Sequence, residues 1–268
     1  MQKDLKINSF SVIGLGKVGK IFTSIFKKEL NFTLDNIIDK NEKGSFLDFK
    51  ILNEIPNKID SDLIIISTPD DYILDIISLL NSECVIKNDV IFLHFSGALY
   101  IEQKNIVSIH PMMSITNYKN DLLRLKEHYF SLQSDNYKLI ELFKPIIEQI
   151  SPKYIIINGR DKEYFHLASV MINNFSTALV KSSVEVIKNL NIDENNALNI
   201  LLPLFEDVFI NLKNNQNIQN SLTGPIVRND NKTIEKHQEL LKNNKMIDEK
   251  AIYDIFLTYI HKKFFKLQ

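Results

Sequence analysis

Cysteine occurs once in this chain, tryptophan not at all, and glycine and proline only seven times each in 268 residues. A lone cysteine excludes an intrachain disulfide and fits a reducing compartment. Cys84 sits in a polar stretch, Asn81 to Asn88, with no histidine beside it to activate a thiolate. No apolar run approaches the roughly 18 residues that a membrane-spanning helix needs. The polar N-terminus enters its first strand by Phe10, which leaves no room for a signal peptide. These absences lead to the expectation of a cytoplasmic protein with no membrane partner. Excess positive charge is missing too. The formal net charge is -1 and the lysines are spread along the chain, so nothing resembles the basic footprint of a nucleic-acid binder. His-Glu-x-x-His and paired cysteines are absent, which leaves no metal-ligand spacing. Gly-x-Ser-x-Gly and the four-residue loop of a Walker lysine are absent as well, which argues against a hydrolase elbow and ATP hydrolysis.

What remains is an ordinary globular composition, 44% hydrophobic and 24% charged, at a length suited to two domains or one large one. Against the scarcity of glycine, three glycines fall together in Gly14-Leu15-Gly16-Lys17-Val18-Gly19. The apolar run Phe10-Ser11-Val12-Ile13 precedes them and reads as a buried strand. Val18, Ile21, Phe22, Ile25 and Phe26 follow at helical spacing. Strand, glycine turn and helix are the context of a dinucleotide fingerprint. The first glycine permits the tight turn, the second admits a pyrophosphate to the backbone, and the third lets helix and strand pack closely. The helix N-terminus then presents free N–H groups to the anion. Taken without that context, the same glycines are an ordinary strand-to-helix turn.

Further strands are expected at Asn36–Asp39, Leu63–Ile66, Val90–Leu93, Ile106–Ile109, Tyr129–Leu132 and Tyr154–Ile157. Helices are expected after Pro69-Asp70-Asp71 and over Tyr137–Ile150. This alternation predicts a mostly parallel sheet covered on both faces. Ligands bind such sheets at the carboxyl ends of the strands. The polar and glycine signals gather at those ends: Gly14–Gly19, Asp39, Thr68-Pro69, Ser96-Gly97 and His110-Pro111. Beyond about Asp161 only helical patterns remain, over Tyr164–Leu190, Ala197–Leu212 with Pro203 near its first turns, Thr233–Lys242 and Ala251–Phe265. The loop Ser221-Leu222-Thr223-Gly224-Pro225 and the Asn-rich stretch 214–220 lie between them.

Asp39, at the end of the second strand, is placed to hydrogen-bond a ribose 2′-hydroxyl, which favours NAD. A 2′-phosphate there would meet like charge, costing about 1 kcal/mol in water and about 4 kcal/mol at an effective dielectric of 20. Lys40 beside it offers the opposite, a partner for that phosphate, and Asp39 as a plain solvated turn residue is the third reading. Three histidines stand out as proton carriers. His94 reads as a packed, hydrogen-bonded strand residue. His110 admits either catalysis or an internal hydrogen bond holding its loop. His166 opens the long helix, with Asn173 two turns on along one face and Asn174 offset from it. These polar groups either position and protonate a substrate or satisfy one another.

The glycine turn, His94-Phe95-Ser96-Gly97-Ala98-Leu99, Ser108-Ile109-His110-Pro111, Tyr164-Phe165-His166, Asn174-Phe175 and Leu222-Thr223-Gly224-Pro225 follow in one order. Together they resemble the family of Rossmann-like proteins carrying a DUF2520 C-terminal domain, oxidoreductases similar to the N-terminal domains of F420-dependent NADP oxidoreductases. The resemblance covers nearly the whole chain. It implies an α/β fold: a Rossmann-type doubly wound parallel sheet over 1–159, followed by an all-helical domain over 160–268. That second domain would be like the C-terminal domains of 6-phosphogluconate dehydrogenase relatives, which commonly mediate dimers.

The resemblance also implies NAD(P)(H) as cofactor and a small polar substrate in a cleft between the domains. Cofactor contacts would come from Gly14, Leu15, Gly16, Lys17, Val18, Gly19, Asp39, Lys40, Thr68, Pro69 and Ser96. Substrate contacts would come from His110, Thr223 and Arg228. His166 would be the proton donor, with Asn174 and Ser96 orienting. The alternative is a dinucleotide-binding or sensing protein without catalysis. Two departures from the family pattern stand out. The family shows Ser-Arg, suited to NADP, where Asp39-Lys40 stands. Its Arg-Gly-Asp is Arg228-Asn229-Asp230 here, and asparagine is the residue after glycine that best tolerates a left-handed backbone.

Overall fold

The structure, a computed structural model, describes residues 6–215 and 217–265. The first five residues of the polar N-terminus, Gln216 in the Asn-rich stretch, and 266–268 lie outside the described residues.

The chain runs through β1 (Ser9–Ile13), α1 (Lys17–Ser24), β2 (Thr33–Ile38), β3 (Ser45–Phe46), β4 (Phe49–Leu52), β5 (Lys58–Ile59), β6 (Leu63–Ile66), α2 (Asp70–Glu83), β7 (Val85–Ile86), β8 (Ile91–His94) and β9 (Ile106–Pro111). Then come α3 (Tyr118–Arg124), β10 (Phe130–Gln133), α4 (Tyr137–Ile150) and β11 (Tyr154–Ile156). Only helices follow among the described residues: α5 (Lys162–Val170), α6 (Ser176–Lys188), α7 (Glu194–Asn214), α8 (Asn231–Asn243) and α9 (Ile247–Phe264), with short turns of 3-10 helix between.

The main sheet has the order β11-β10-β9-β8-β6-β1-β2-β4-β3. Its body from β9 to β4 is parallel. β10 returns antiparallel to β9, and β3 antiparallel to β4, so both margins depart from the parallel pattern. β5 and β7 form a separate parallel pair. The chain builds outward from β1 in one direction and then crosses to β6 on the other side. The switch point therefore lies between β1 and β6, where a doubly wound sheet opens a crevice for ligands.

Burial explains the unbroken apolar strands. In β6, Leu63 and Ile65 enter one core with Ile21 and Phe22 of α1, Phe26 of the π-helical turn that follows it, and Phe143 and Ile147 of α4. Ile64 and Ile66 enter the other, with Ile73, Ile77 and Leu80 of α2. A strand covered on both faces has no polar side to show, so it carries no alternation. Phe22 stacks on Phe95 with ring centroids 4.0 Å apart, which ties α1 to the segment just beyond β8.

The chain divides into two compact units, one through Met171 and one from Ile172. In the second, α6 packs on α7, α8 on α9, and α9 also on α6. Pro203 lies well inside α7 rather than near its start. The Tyr164–Leu190 helix is interrupted by a π-helical turn, Met171–Phe175. Asn173 and Asn174 lie within this turn, whose residues advance by less than an α-helical step. Asn229 adopts φ 53° after Gly224 at φ 90°, so asparagine does take the left-handed position expected of it.

Candidate functional site

The glycine turn joins β1 to α1 at the switch point. Gly14 has φ 92°, and a Cβ there would lie 2.9 Å from the Ser67 carbonyl. A Cβ on Gly19 would lie 2.2 Å from the Gly14 carbonyl oxygen and 2.5 Å from Ser67 Oγ. These two glycines are demanded by close approach of backbone to backbone. Gly16 is different, since nothing lies within 4 Å of the position its Cβ would take. That open face borders the start of α1, whose N-cap, Gly16, has no capping side chain. The opening N–H groups of a helix have no intrahelical partner, so this end is suited to an anion. Thr68, whose Cγ2 would lie 3.0 Å from a Gly14 Cβ, keeps a buried hydroxyl with no hydrogen-bond partner among the described residues.

Asp39 lies one residue past β2. Its Oδ2 accepts the N–H of Leu15 at 2.6 Å, and its Oδ1 accepts those of Asn41 and Glu42 at 2.8 and 2.9 Å. Partial burial pushes its carboxyl up, but the three N–H donors and the Lys20 ammonium outweigh this and hold it below the ordinary value. Lys20 itself is paired with Glu42 at 2.6 Å. Lys40 and Lys17 are exposed.

A second polar group forms where β8 and β9 end. The Ser96 hydroxyl donates to Asp70 Oδ2 at 2.5 Å and accepts the N–H groups of Leu99 at 2.8 Å and Ala98 at 3.3 Å. Pro69 is the N-cap of α2, so Asp70 opens that helix where negative charge is favoured. His110 Nδ1–H donates to the Phe95 carbonyl at 2.9 Å, the loop-holding bond that was one of its two readings. Neutral His110 then carries its lone pair on Nε2. A Cβ on Gly97 would fall 2.8 Å from His110 Nε2 and 2.9 Å from His166 Nδ1. The two imidazoles thus converge on Gly97, with ring centroids 6.2 Å apart. His166 Nδ1 is buried without a partner among the described residues. Burial lowers the pKa of His110 below its ordinary value; the bond to Phe95 opposes this, and the charges of His166 and Lys162 add to it.

His94 departs from expectation. It is buried in β8, yet neither ring nitrogen has a hydrogen-bond partner among the described residues. Burial, with the charges of Lys162 and His110, pushes its pKa down to about 3. His166 does not open its helix, since α5 begins at Lys162, and it belongs to the first compact unit.

Lys162 is the group that sequence reasoning missed. It is fully buried, and its Nζ donates to Ser108 Oγ at 2.6 Å, while the Ser108 hydroxyl donates to the Ser96 carbonyl at 3.2 Å. Burial lowers its pKa to about 7, with the Asp70 carboxylate opposing. One lysine in a lysine-rich chain carries no local signal of burial. The sole hint is its place one helical turn before His166 on the same face.

The remaining residues named from sequence belong to the second unit. Asn174 accepts a hydrogen bond from Asn173 at 3.0 Å within the π-helical turn, and both are exposed. Thr223 and Arg228 are exposed on either side of Gly224, and the Arg228 N–H donates to the Gly224 carbonyl at 3.4 Å. Among the described residues no cluster of histidine, cysteine, aspartate and glutamate could hold a metal ion. No described helix is long and apolar enough to cross a membrane.

Residues 128–260 match the family model described as a domain of unknown function, DUF2520. Three solved structures share the fold over nearly their whole length. A "putative NADP oxidoreductase" of Bacteroides fragilis is 16% identical with a TM-score of 0.77, over 96% of this chain and 99% of that one. A protein of Thermotoga maritima is 24% identical with a TM-score of 0.72, over 94% and 97%. An imine reductase of Myxococcus stipitatus, in complex with NADP+, is 14% identical with a TM-score of 0.59, over 95% and 94%. No curated protein matches the sequence. Residues 128–260 thus resemble the DUF2520 domain, and the chain shares the Rossmann-like fold of these structures.

Proposed function

We propose that this protein is an NAD(P)-dependent oxidoreductase that moves a hydride to or from a small polar substrate. The observation that carries this reading is the glycine turn. Gly14 and Gly19 are fixed by backbone contact, while Gly16 leaves its face open beside the uncapped start of α1. The orphaned Thr68 hydroxyl borders the same turn. These features fit a dinucleotide whose pyrophosphate lies against Leu15, Gly16, Lys17 and Val18, with Thr68 and Pro69 beside it. The NADP oxidoreductase and imine reductase among the similar structures support the same class.

Asp39 supports NAD over NADP. Three N–H groups occupy its carboxylate. One of about four acceptor positions is left for a ribose hydroxyl. A 2′-phosphate in that place would face a fixed negative charge, with Lys40 as its one adjacent compensation and Lys20 engaged by Glu42.

When bound, the nicotinamide supplies the hydride, and the protein supplies orientation and a proton. His166 is our proton donor, with Ser96 orienting through its bond to Asp70. His110 is on the substrate side. Asn174, Thr223 and Arg228, all exposed on the second unit, enter as further orienting and substrate-binding residues. The Arg228 guanidinium suits a carboxylate. A cytoplasmic site of action agrees with the single, unpaired Cys84.

A homodimer through the helical part completes the proposal. In the second unit only Val184, Ala197, Ile234 and Leu241 are fully buried apolar residues among those described. Ile200, Leu204, Phe205, Val208 and Phe209 of α7 stay exposed. An apolar helix surface of that extent needs a covering partner, and a second copy supplies it.

One observation favours the non-catalytic reading, a dinucleotide-binding or sensing protein. The Ser96 hydroxyl is already given to Asp70, and His94 stays neutral in the physiological range. Incubation with NADH or NADPH and a panel of oxo acids, imines and aldehydes separates the two. Consumption of cofactor, abolished in His166→Ala across the neutral pH range, supports the enzyme. Binding without turnover of any panel member supports the sensor.

A further inference from the structure

Lys162 is the one fully buried lysine among the described residues. It opens α5, one turn before His166 on the same face. Its Nζ reaches across to Ser108 of β9, and Ser108 passes the connection to the Ser96 carbonyl. One ammonium thus links the helix bearing His166 to the strand bearing His110 and to the Ser96-Gly97 turn on which both imidazoles converge. The charged and titratable groups coupled to it come from three neighbouring elements: Asp70 from α2, His94 from β8 and His110 from β9. Asp70 is the sole carboxylate among them, and it already holds Ser96. A methionine or leucine would fill the same space without desolvating a charge. Packing therefore does not account for a lysine here.

We propose that Lys162 is the positioning residue of this group: through Ser108 it holds the Ser96-Gly97 turn, on which His110 and His166 converge, against α5, and its charge acts on His110 and His94. Its importance to catalysis rests on the oxidoreductase reading; the linkage itself does not. As a like charge beside His110 and His94 it disfavours their protonation, in line with the lowered pKa of each. The nitrogen is fully buried and donates to Ser108, so its effect passes through Ser108 and the neighbouring histidines.

The test follows the histidine ring carbons by NMR in isotopically labelled protein as pH is varied. In the wild type, the His110 signal is expected to inflect where Lys162 itself titrates, at about 7. In Lys162→Met that inflection disappears and the His110 midpoint moves up. A His110 curve that superimposes on the wild type would overturn the proposal. Should Lys162→Met fail to fold, the lysine side-chain carbons of the wild type provide the second measurement. Histidine signals that stay flat while the Lys162 signal titrates would overturn the proposal equally, and a shared midpoint supports it. NADH binding is measured on the same samples. A coupled titration without cofactor binding removes the oxidoreductase reading and leaves Lys162 in its role; binding without coupling removes only Lys162.

Discussion

The carboxylate of Asp39 accepts the backbone N–H of Leu15 at 2.6 Å, joining the end of β2 to the middle of the glycine turn. One residue thereby shapes the glycine turn, and under the proposed function its remaining acceptor position would serve a ribose hydroxyl. Asp39→Asn keeps the side-chain shape and one acceptor oxygen but removes the charge. Binding of NADPH relative to NADH is expected to improve, by about fivefold if the site is water-like and by several hundredfold or more if it is well screened from water. Titration calorimetry with both cofactors reads the ratio. An unchanged ratio would show that Asp39 serves the turn alone.

The glycines separate structural from ligand-facing roles. Gly19→Ala places a methyl into the backbone carbonyl of Gly14 and the Ser67 Oγ, which is itself held by its hydrogen bond to that carbonyl. It is expected to destabilise the protein by about 1–3 kcal/mol, the usual cost of overpacking. Gly16→Ala meets no atom and has φ -65°, so its melting temperature should stay near the wild-type value. The new methyl stands where the pyrophosphate would approach, so cofactor affinity should fall. Equal melting temperatures for the two variants would contradict this division.

His94 makes the fold acid-sensitive. Its folded pKa is about 3 against an ordinary 6.5. Between those values the unfolded chain binds a proton that the folded chain does not, so stability rises with pH there and is lost on acidification. By about pH 4 this one group withdraws on the order of 3 kcal/mol relative to neutrality. His94→Leu removes the titrating ring and its two unpartnered nitrogens. The gap in unfolding free energy between variant and wild type should widen as pH falls from about 6.5 to about 4. A constant gap in chemical denaturation curves across that range would contradict a buried neutral imidazole.

Much of this was legible in the sequence because the physics is local. The strand, turn and helix around Gly14–Gly19 follow from apolar spacing and glycine placement. The polar residues that close β1, β2, β6, β8 and β9 mark the ligand side of a parallel sheet. What stayed hidden depends on contacts made at a distance. The antiparallel return of β10 uses the same apolar pattern as a parallel strand. The π-helical turn at Met171–Phe175 leaves no mark in residue type, yet it interrupts the helix expected over Tyr164–Leu190. Lys162 looks like any surface lysine until α5 packs it against Ser108. Asp39 was readable as a ribose ligand, but its hold on the turn appears only once Leu15 is in place.

The central claim is a dinucleotide held at the glycine turn, and direct titration of the purified protein with NADH and NADPH tests it. The account predicts saturable binding with a change in nicotinamide fluorescence, tighter for NADH, and weakened in Gly16→Ala while that variant remains folded. Neither a fluorescence change nor a binding heat with either cofactor at millimolar concentration would contradict it.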